Sequence, residues 1–407
     1  MNIAVILFVY HRYEKTLETV RAVEKNIVLP ELLYIFQDGV SETTDIDEWN
    51  KVNELINSIS FCRTEIHVSK VNNGLAKSLK SGISYVMDRN DAAIILEDDC
   101  VSHPLFIDYA TKALLKYQDK KTVWSINGHS EKSFRDNNGT DAYFIGRASS
   151  WGWATWRDRW NYYEEDYKLL DKIKKDPEKK QQFDIWGEDL ENYLYGNIEG
   201  RCDSWAVFWC LQIIYRGGYC LTPYKSLIRN IGTDGTGRHR VNIKLESHER
   251  SLTDDSMIKL PEIIEFPNSY EKIFMEDYHW ISPNYKNRLY KNLLIEWFQK
   301  DEAHVQNVLL AKGYKRISIW GTGDIAKILI KQIENKIKIV EVIKSKDSNN
   351  EQIFCGYGIC DYSKMAIDSD VDAIVVVPFY EVDLIKNKIK RDNIDVIVLG
   401  LDRLIAN

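Results

Sequence analysis

Ala92-Ala93-Ile94-Ile95-Leu96-Glu97-Asp98-Asp99 is an apolar run of strand length that ends in three consecutive acids. Aliphatic residues without polar alternation read as a strand buried on both faces, the pattern of a parallel sheet. In open α/β sheets ligands gather beyond the carboxyl ends of such strands. Carboxylates suit hard cations, and Mg²⁺ or Mn²⁺ is commonly held by one or two of them together with phosphate oxygens of a substrate. The run therefore predicts a central strand with a divalent metal and a diphosphate at its end. The same acids also read as a turn leading into a helix that Pro104 opens, with Ser102 or His103 near the N-cap.

Outward from this strand the chain alternates. Ile3 to Tyr10 reads as a first strand, Thr16 to Lys25 as a helix, and Leu32 to Phe36 as a second strand closed by Gln37-Asp38-Gly39. A helix over about Glu48 to Ser58, a short strand Thr64 to Val68 and an amphipathic helix Leu75 to Met87 precede the acids. This is a nucleotide-binding α/β pattern. Between Trp124 and Trp209 lie eight of the twelve tryptophans, densest in Trp151-Gly152-Trp153-Ala154-Thr155-Trp156. Most such rings belong in a core, and one or two could form a wall against a sugar ring. The basic run Lys172 to Lys180 reads as a solvated helix face. Residues 266–310 read as amphipathic helices with aromatic anchors such as Tyr290 and Trp297. The α/β pattern then restarts with strand Arg316 to Trp320, the turn Gly321-Thr322-Gly323-Asp324-Ile325-Ala326, and strands at Lys338 to Ile343, Ala373 to Val377 and Val396 to Leu399.

The 407 residues are enough for two or three cores, and 44% hydrophobic with 28% charged residues is ordinary globular composition. A net charge of −7 from 54 basic and 61 acidic side chains speaks against a general nucleic-acid or anionic-membrane binder. The apolar N-terminal run stops at His11-Arg12 without a basic leader, and no stretch approaches 18 apolar residues. Seven cysteines without a Cys-x-x-Cys pair suggest neither a zinc site nor a disulfide framework, so a cytoplasmic setting is expected.

Several stretches carry a family resemblance in their order and spacing: Val9-Tyr10-His11-Arg12, Gln37-Asp38-Gly39, Asn72-Asn73-Gly74-Leu75, Glu97-Asp98-Asp99, the Trp151 to Trp156 block, Asp203-Ser204-Trp205, and Asn230-Ile231-Gly232-Thr233-Asp234-Gly235. Residues 1 to about 240 thereby resemble GT-A glycosyltransferases, and among them bacterial sugar transferases related to the N-acetylglucosaminyltransferase I type. The resemblance implies an α/β fold with a mixed central sheet over 1–265, and the residue pattern beyond it reads as a helical linker over 266–310 and a smaller Rossmann-like α/β domain over 311–407. It implies a nucleotide-sugar donor, a glycan or lipid-linked acceptor, a Mn²⁺ or Mg²⁺ cofactor, no nucleic acid, and peripheral association with a membrane-bound acceptor at the inner face of the membrane.

By the same resemblance the acid triplet stands in for the DxD motif, with Asp99 as metal ligand and Glu97 and Asp98 touching ribose or sugar hydroxyls. Arg12 and Asp38 would meet the nucleoside end of the donor, with Asn73, Lys77, Trp153, Arg238 and His239 also on the donor. Other readings of these residues stand beside it: Asp38 as a turn residue before Gly39, Lys77 and Lys80 facing solvent, and the glycine-rich Asn230 to Arg240 as a plain exposed loop rather than an ordering lid. Asp203, an acid before a tryptophan, is implied as general base, with helix capping as its alternative. The family pattern often has a second acid where this chain has Ser204, so Glu188 and Asp189 are held as reserve candidates.

The turn Gly321-x-Gly323-x-x-Ala326 has the strand-before, helix-after setting of a dinucleotide fingerprint. Lys344 stands where a ribose-binding acid is expected, which favours a structural or docking role. The function expected is inverting transfer of a sugar, with a UDP-sugar the first candidate donor, in bacterial surface-polysaccharide synthesis. A sugar nucleotidyltransferase, or a sugar-nucleotide-binding scaffold without transfer activity, stays open. The former should carry a glycine-rich signature with Arg and Lys after strand 1, where this chain has Tyr10-His11-Arg12.

Overall fold

The computed structural model describes residues 1–130, 139–232, 258–266, 274, 283–344, 353–362, 371–392 and 394–406. The chain forms two compact units, Met1–Ser282 and Pro283–Asn407. The first opens with strictly alternating elements: β1 (Ile3–Val9), α1 (Tyr13–Glu24), β2 (Leu32–Gln37), α2 (Ile46–Asn57), β3 (Arg63–Val68), α3 (Leu75–Met87) and β4 (Ala92–Glu97). There follow β5 (Cys100–Ser102), α4 (Phe106–Tyr117), β6 (Val123–Asn127), β7 (Ala142–Ile145), β8 (Trp153–Trp156), α5 (Arg157–Trp160), α6 (Leu169–Lys175), α7 (Pro177–Trp186), α8 (Leu190–Ile198), α9 (Ala206–Tyr215), β9 (Tyr219–Pro223) and β10 (Ile228–Asn230).

Among the described residues eight strands form one sheet in the order β3-β2-β1-β4-β8-β6-β9-β7. The first four run parallel. The mixed α/β class expected from the sequence is therefore what the chain adopts. β1 and β4 lie side by side at the centre, with Phe8 opposite Glu97. That position explains their unbroken aliphatic runs, since helices cover both faces. β8 then runs antiparallel between β4 and β6 and makes the sheet mixed.

The tryptophan block proves to be this central strand. Trp153 points into the layer that holds α3 and α9, and Trp156 into the layer that holds α4. Seven of the eight tryptophans from Trp124 to Trp209 are buried, and Trp151 is half-buried. The core reading holds for them, and Trp153, with no exposed surface, cannot form a wall against a sugar. The basic run divides at Asp176, which accepts hydrogen bonds from the N–H groups of Glu178 and Lys179 and so caps α7 behind Pro177. Lys172, Lys174, Lys179 and Lys180 pair with Asp166, Glu191, Asp176 and Asp184, so this face is charge-neutralised and solvated.

In the second unit β11 (Arg316–Trp320), β12 (Lys338–Lys344), β13 (Ile353–Phe354), β14 (Tyr357–Asp361), β15 (Ala373–Val376) and β16 (Ile397–Gly400) form a sheet in the order β13-β14-β12-β11-β15-β16. It is parallel apart from the β13–β14 hairpin. The Gly321–Gly323 turn joins β11 to the helix Asp324–Ile333, where the strand order reverses. The stretch 266–310, expected as a linker, is shared between the units. Phe266 and Phe274 pack edge-on against Trp186 of the first. Leu293, Trp297, Val305 and Leu309, on helices Pro283–Phe298 and His304–Ala311, share a core with β11 and β15 of the second. No helix among the described residues is long and apolar enough to cross a membrane.

Candidate active site

Strand β4 delivers its acids at the carboxyl edge of the sheet, beside the end of β1. There the chain turns at Arg12 into α1, and the guanidinium reaches across to the acid turn. Arg12 Nε donates to Asp98 Oδ2 at 3.1 Å, and Nη2 donates to Asp98 Oδ1 and, at 2.8 Å, to Asp99 Oδ2. Thr19 on α1 donates to the Asp98 carbonyl at 2.9 Å and fixes the turn from below. Burial works against the charge on Arg12, yet Asp98 and Asp99 hold it firmly protonated.

The other side of the corner is β10, paired antiparallel with β5. Asn230 Nδ2 donates to Asp99 Oδ1 at 3.3 Å, Ile231 N–H to the Asp99 carbonyl at 2.9 Å, and Lys15 Nζ to the Ile231 carbonyl at 2.6 Å. Gly232 comes so close that a β-carbon there would overlap Asp99 Oδ2. Arg238 and His239 lie outside the described residues, as does the rest of the glycine-rich segment from 233.

A divalent metal fits this corner by charge. Burial first, then Asp99 and Asp98, push the Glu97 carboxyl up to about 8 even with Arg12 nearby, which leaves Asp98 and Asp99 as two carboxylates facing one guanidinium. The donors are all oxygens, the set that Mg²⁺ and Mn²⁺ take. No three His, Cys, Asp or Glu side chains gather into a full shell among the described residues. An ion held here would have to be shared between one or two carboxylates and a ligand's phosphates. Asp99, whose side chain is 13% exposed, is the acid able to do this, because Asp98 is the more deeply enclosed by Arg12.

Asp38 is built differently from the nucleoside contact expected of it. Its Oδ1 accepts from the N–H groups of Gly39 and Asn73, and Oδ2 accepts from Gly74, each at 2.9 Å. The carboxylate thus ties the end of β2 to the entry of α3, where the turn reading put it. Gly39 is needed for this, since a β-carbon would overlap the Val71 backbone. Asn73 and Lys77, together with Lys80, Ser81, Glu165 and Asp203, line a cavity of about 620 Å³ along α3. Lys80 is exposed, as the solvent-facing reading has it, and its Nζ lies 3.4 Å from Glu165 among the residues that line this cavity.

Asp203 sits between α8 and α9 in a stretch without regular structure. The assigned N-cap position of α9 is Trp205, two residues on. The reserve acids are elsewhere. Arg147 holds Asp189 in a two-bond fork of 3.0 and 2.9 Å and donates to the Trp186 carbonyl at 2.8 Å; Glu188 is buried beside them. Neither acid lines the cavity. Trp153 is likewise interior, stacked on Trp205 with ring centres 5.3 Å apart.

Breaking a buried ion pair from one side leaves an uncompensated charge, at a cost of about 3–5 kcal/mol. Arg147→Met is accordingly expected to destabilise the first unit by about that amount, read as a lowered urea midpoint in tryptophan fluorescence. A midpoint within experimental error of wild type would contradict the structural role given to Asp189.

Sequence reasoning reached the acid corner and Asp203 but passed over Asn230 as a partner of Asp99, Glu165 as a cavity acid, and Asn197, whose amide touches the Asp203 segment. Single polar residues between apolar positions carry no motif, and only the three-dimensional arrangement brings them in.

No protein-family model and no curated protein sequence matches the chain. Solved structures with some likeness include S. aureus TarS, with TM-score 0.33 and 10% identity over 57% of this chain and 37% of that one. They include S. aureus TarS 1-349 in complex with UDP-GlcNAc, with TM-score 0.35 and 9% identity over 56% and 58%. The mannosyltransferase PcManGT from Pyrobaculum calidifontis in complex with GDP-Man and Mn2+ has TM-score 0.32 and 10% identity over 53% and 69%. The chain thus spans less than two thirds of these TarS structures. Likeness at this level carries no argument about activity, which rests on the residues themselves.

Proposed function

We propose that the chain is a metal-dependent, inverting glycosyltransferase acting on a nucleotide-diphosphate sugar, with UDP-sugars the first donors to try. The acceptor in this reading is a hydroxyl of a glycan or lipid-linked glycan in bacterial surface-polysaccharide assembly. The observation that carries it is the acid corner at the end of β4, where two carboxylates share one guanidinium and Asp99 is the more exposed of the two. Asp203, Asn73 and Lys77 line a cavity along α3 whose lining includes none of the acid-corner residues.

In the proposed reaction an acceptor oxygen attacks the anomeric carbon, the bond from that carbon to the diphosphate oxygen breaks, and Asp203 takes the acceptor's proton. A bound divalent ion would stabilise the charge on the departing diphosphate as a Lewis acid. Asp99 would hold that ion. Arg12 and Lys77 supply positive charge for the phosphates, and Asp98 keeps Arg12 in place. Asp38 and Asn73 shape the entry of α3.

The test is release of nucleoside diphosphate from UDP-, GDP-, CDP- and dTDP-sugars, with and without Mn²⁺ and with octyl glycosides as acceptors. Metal-dependent release from one donor class supports the reading, and no release from any of them overturns it. A finer expectation concerns Gly232. In Gly232→Ala the new methyl group should displace the Asp99 carboxylate and weaken Mn²⁺ binding about 10-fold, a supporting-shell effect. The measurement is Mn²⁺ titration followed by electron paramagnetic resonance, with the melting temperature unchanged.

A further inference from the structure

We propose that Asn197, near the end of α8, is a positioning residue that aims Asp203 into the cavity; the proposal rests on the reading of Asp203 as general base. Asp203 belongs to a connection outside any strand or helix, where the Ser204 main chain is not part of a helix or strand ladder. Buried or half-buried backbone groups need partners all the same. Asn197 supplies them from one side chain. Its Oδ1 accepts from the Ser204 N–H at 2.8 Å and from the Cys202 thiol at 3.0 Å, and its Nδ2 donates to the Ser204 carbonyl at 2.9 Å.

The amide therefore plays the part of a neighbouring peptide group and grips the chain on both sides of Asp203. The approach is close. Gly196 accepts from the N–H groups of Arg201 and Cys202 at 2.8 and 3.2 Å, and a β-carbon on Gly196 would come within 2.7 Å of Cys202 Sγ. Beyond Asp203, Trp205 is buried and stacked on Trp153. The segment is thus pinned at Cys202, Ser204 and Trp205, and Asp203 is the residue between pins that lines the cavity.

Helix capping does not account for this arrangement. The bonds of the Asn197 amide run forward to residues 202 and 204 and not to the last carbonyls of α8. A base must sit within hydrogen-bond reach of the proton it removes, and a misplacement of about 1 Å can cost about 100-fold in rate.

The experiment compares wild type with Asn197→Ala, Asn197→Asp and, as a control on the same helix, Tyr195→Ala, whose ring is exposed. Two readouts are taken: amide hydrogen exchange at Ser204, and turnover of UDP-N-acetylglucosamine and GDP-mannose with Mn²⁺. Asn197→Ala should exchange Ser204 faster and lower kcat by about 10- to 100-fold, with donor KM changed less than about twofold. Asn197→Asp keeps the acceptor for the Ser204 N–H but loses the donor to its carbonyl, so it should still exchange faster than wild type and turn over more slowly. Tyr195→Ala should match wild type in both. Unchanged exchange in both Asn197 variants overturns the proposal, and so does faster exchange with unchanged kcat. If wild type turns over neither donor with any acceptor, the transferase reading is what fails, and the exchange result alone decides whether Asn197 fixes the segment. A variant that fails to fold is recognised by its melting curve, and the other variant then decides.

Discussion

Asp203→Asn is expected to lower kcat by about 10²–10⁴-fold, the usual range for general-base assistance, while donor KM stays within about twofold. The substitution keeps size and hydrogen-bonding shape, so the main chain held at Cys202, Ser204 and Trp205 should not move. What disappears is the ability to accept a proton from the acceptor oxygen as it attacks. An effect on kcat without one on donor binding separates this role from a purely structural one. The check is steady-state release of nucleoside diphosphate together with a melting curve. Full turnover by Asp203→Asn would remove Asp203 from the mechanism. The product's anomeric configuration is a second check, since direct displacement must invert it.

Asp99→Asn should abolish the response to metal. Lewis-acid stabilisation of a departing diphosphate contributes several kcal/mol, and each ~1.4 kcal/mol is a factor of ten in rate, so a loss of about 10²–10⁴-fold is expected. Asparagine can still meet Asn230 and stand near Arg12, but it cannot supply the anionic oxygen that a hard cation prefers. The discriminating observation is the Mn²⁺ dependence. Wild type should climb with added Mn²⁺ and saturate, whereas Asp99→Asn should stay flat over the same range. A variant that retains a full metal response would place the ion elsewhere.

The elements that carry these residues were legible because their signals are local. The aliphatic runs of β1 and β4 and the amphipathic spacing of α1 and α3 each read within three residues of the elements they form. The Trp151–Trp156 block was less legible. Its rings read mostly as core with one or two as a wall against a sugar, and alternation sends Trp153 and Trp156 to opposite buried layers of a strand paired on both edges. Such pairing depends on partners 26 or more residues away and leaves no local mark beyond period two. The carboxylate of Asp38 was equally ambiguous in sequence. Only the position of Asn73 and Gly74 shows that it serves their N–H groups. Lys80 and Glu165 are 85 residues apart and neither belongs to a motif, so their meeting across the cavity is a property of the fold.

The fork from Arg12 to Asp98 and Asp99 has a consequence for how the protein must be handled. A cluster of acids without an internal cation would resist closing until a metal arrived, and removing the metal would then unfold it, as happens in small metal-built domains. Here the polypeptide brings its own counter-charge on the residue that starts α1. If the corner takes a metal as proposed, folding and metal capture are thereby uncoupled. The apoprotein should survive purification in EDTA with its melting curve intact, and adding Mn²⁺ back should register as a saturable binding isotherm on a preformed scaffold, without a refolding lag.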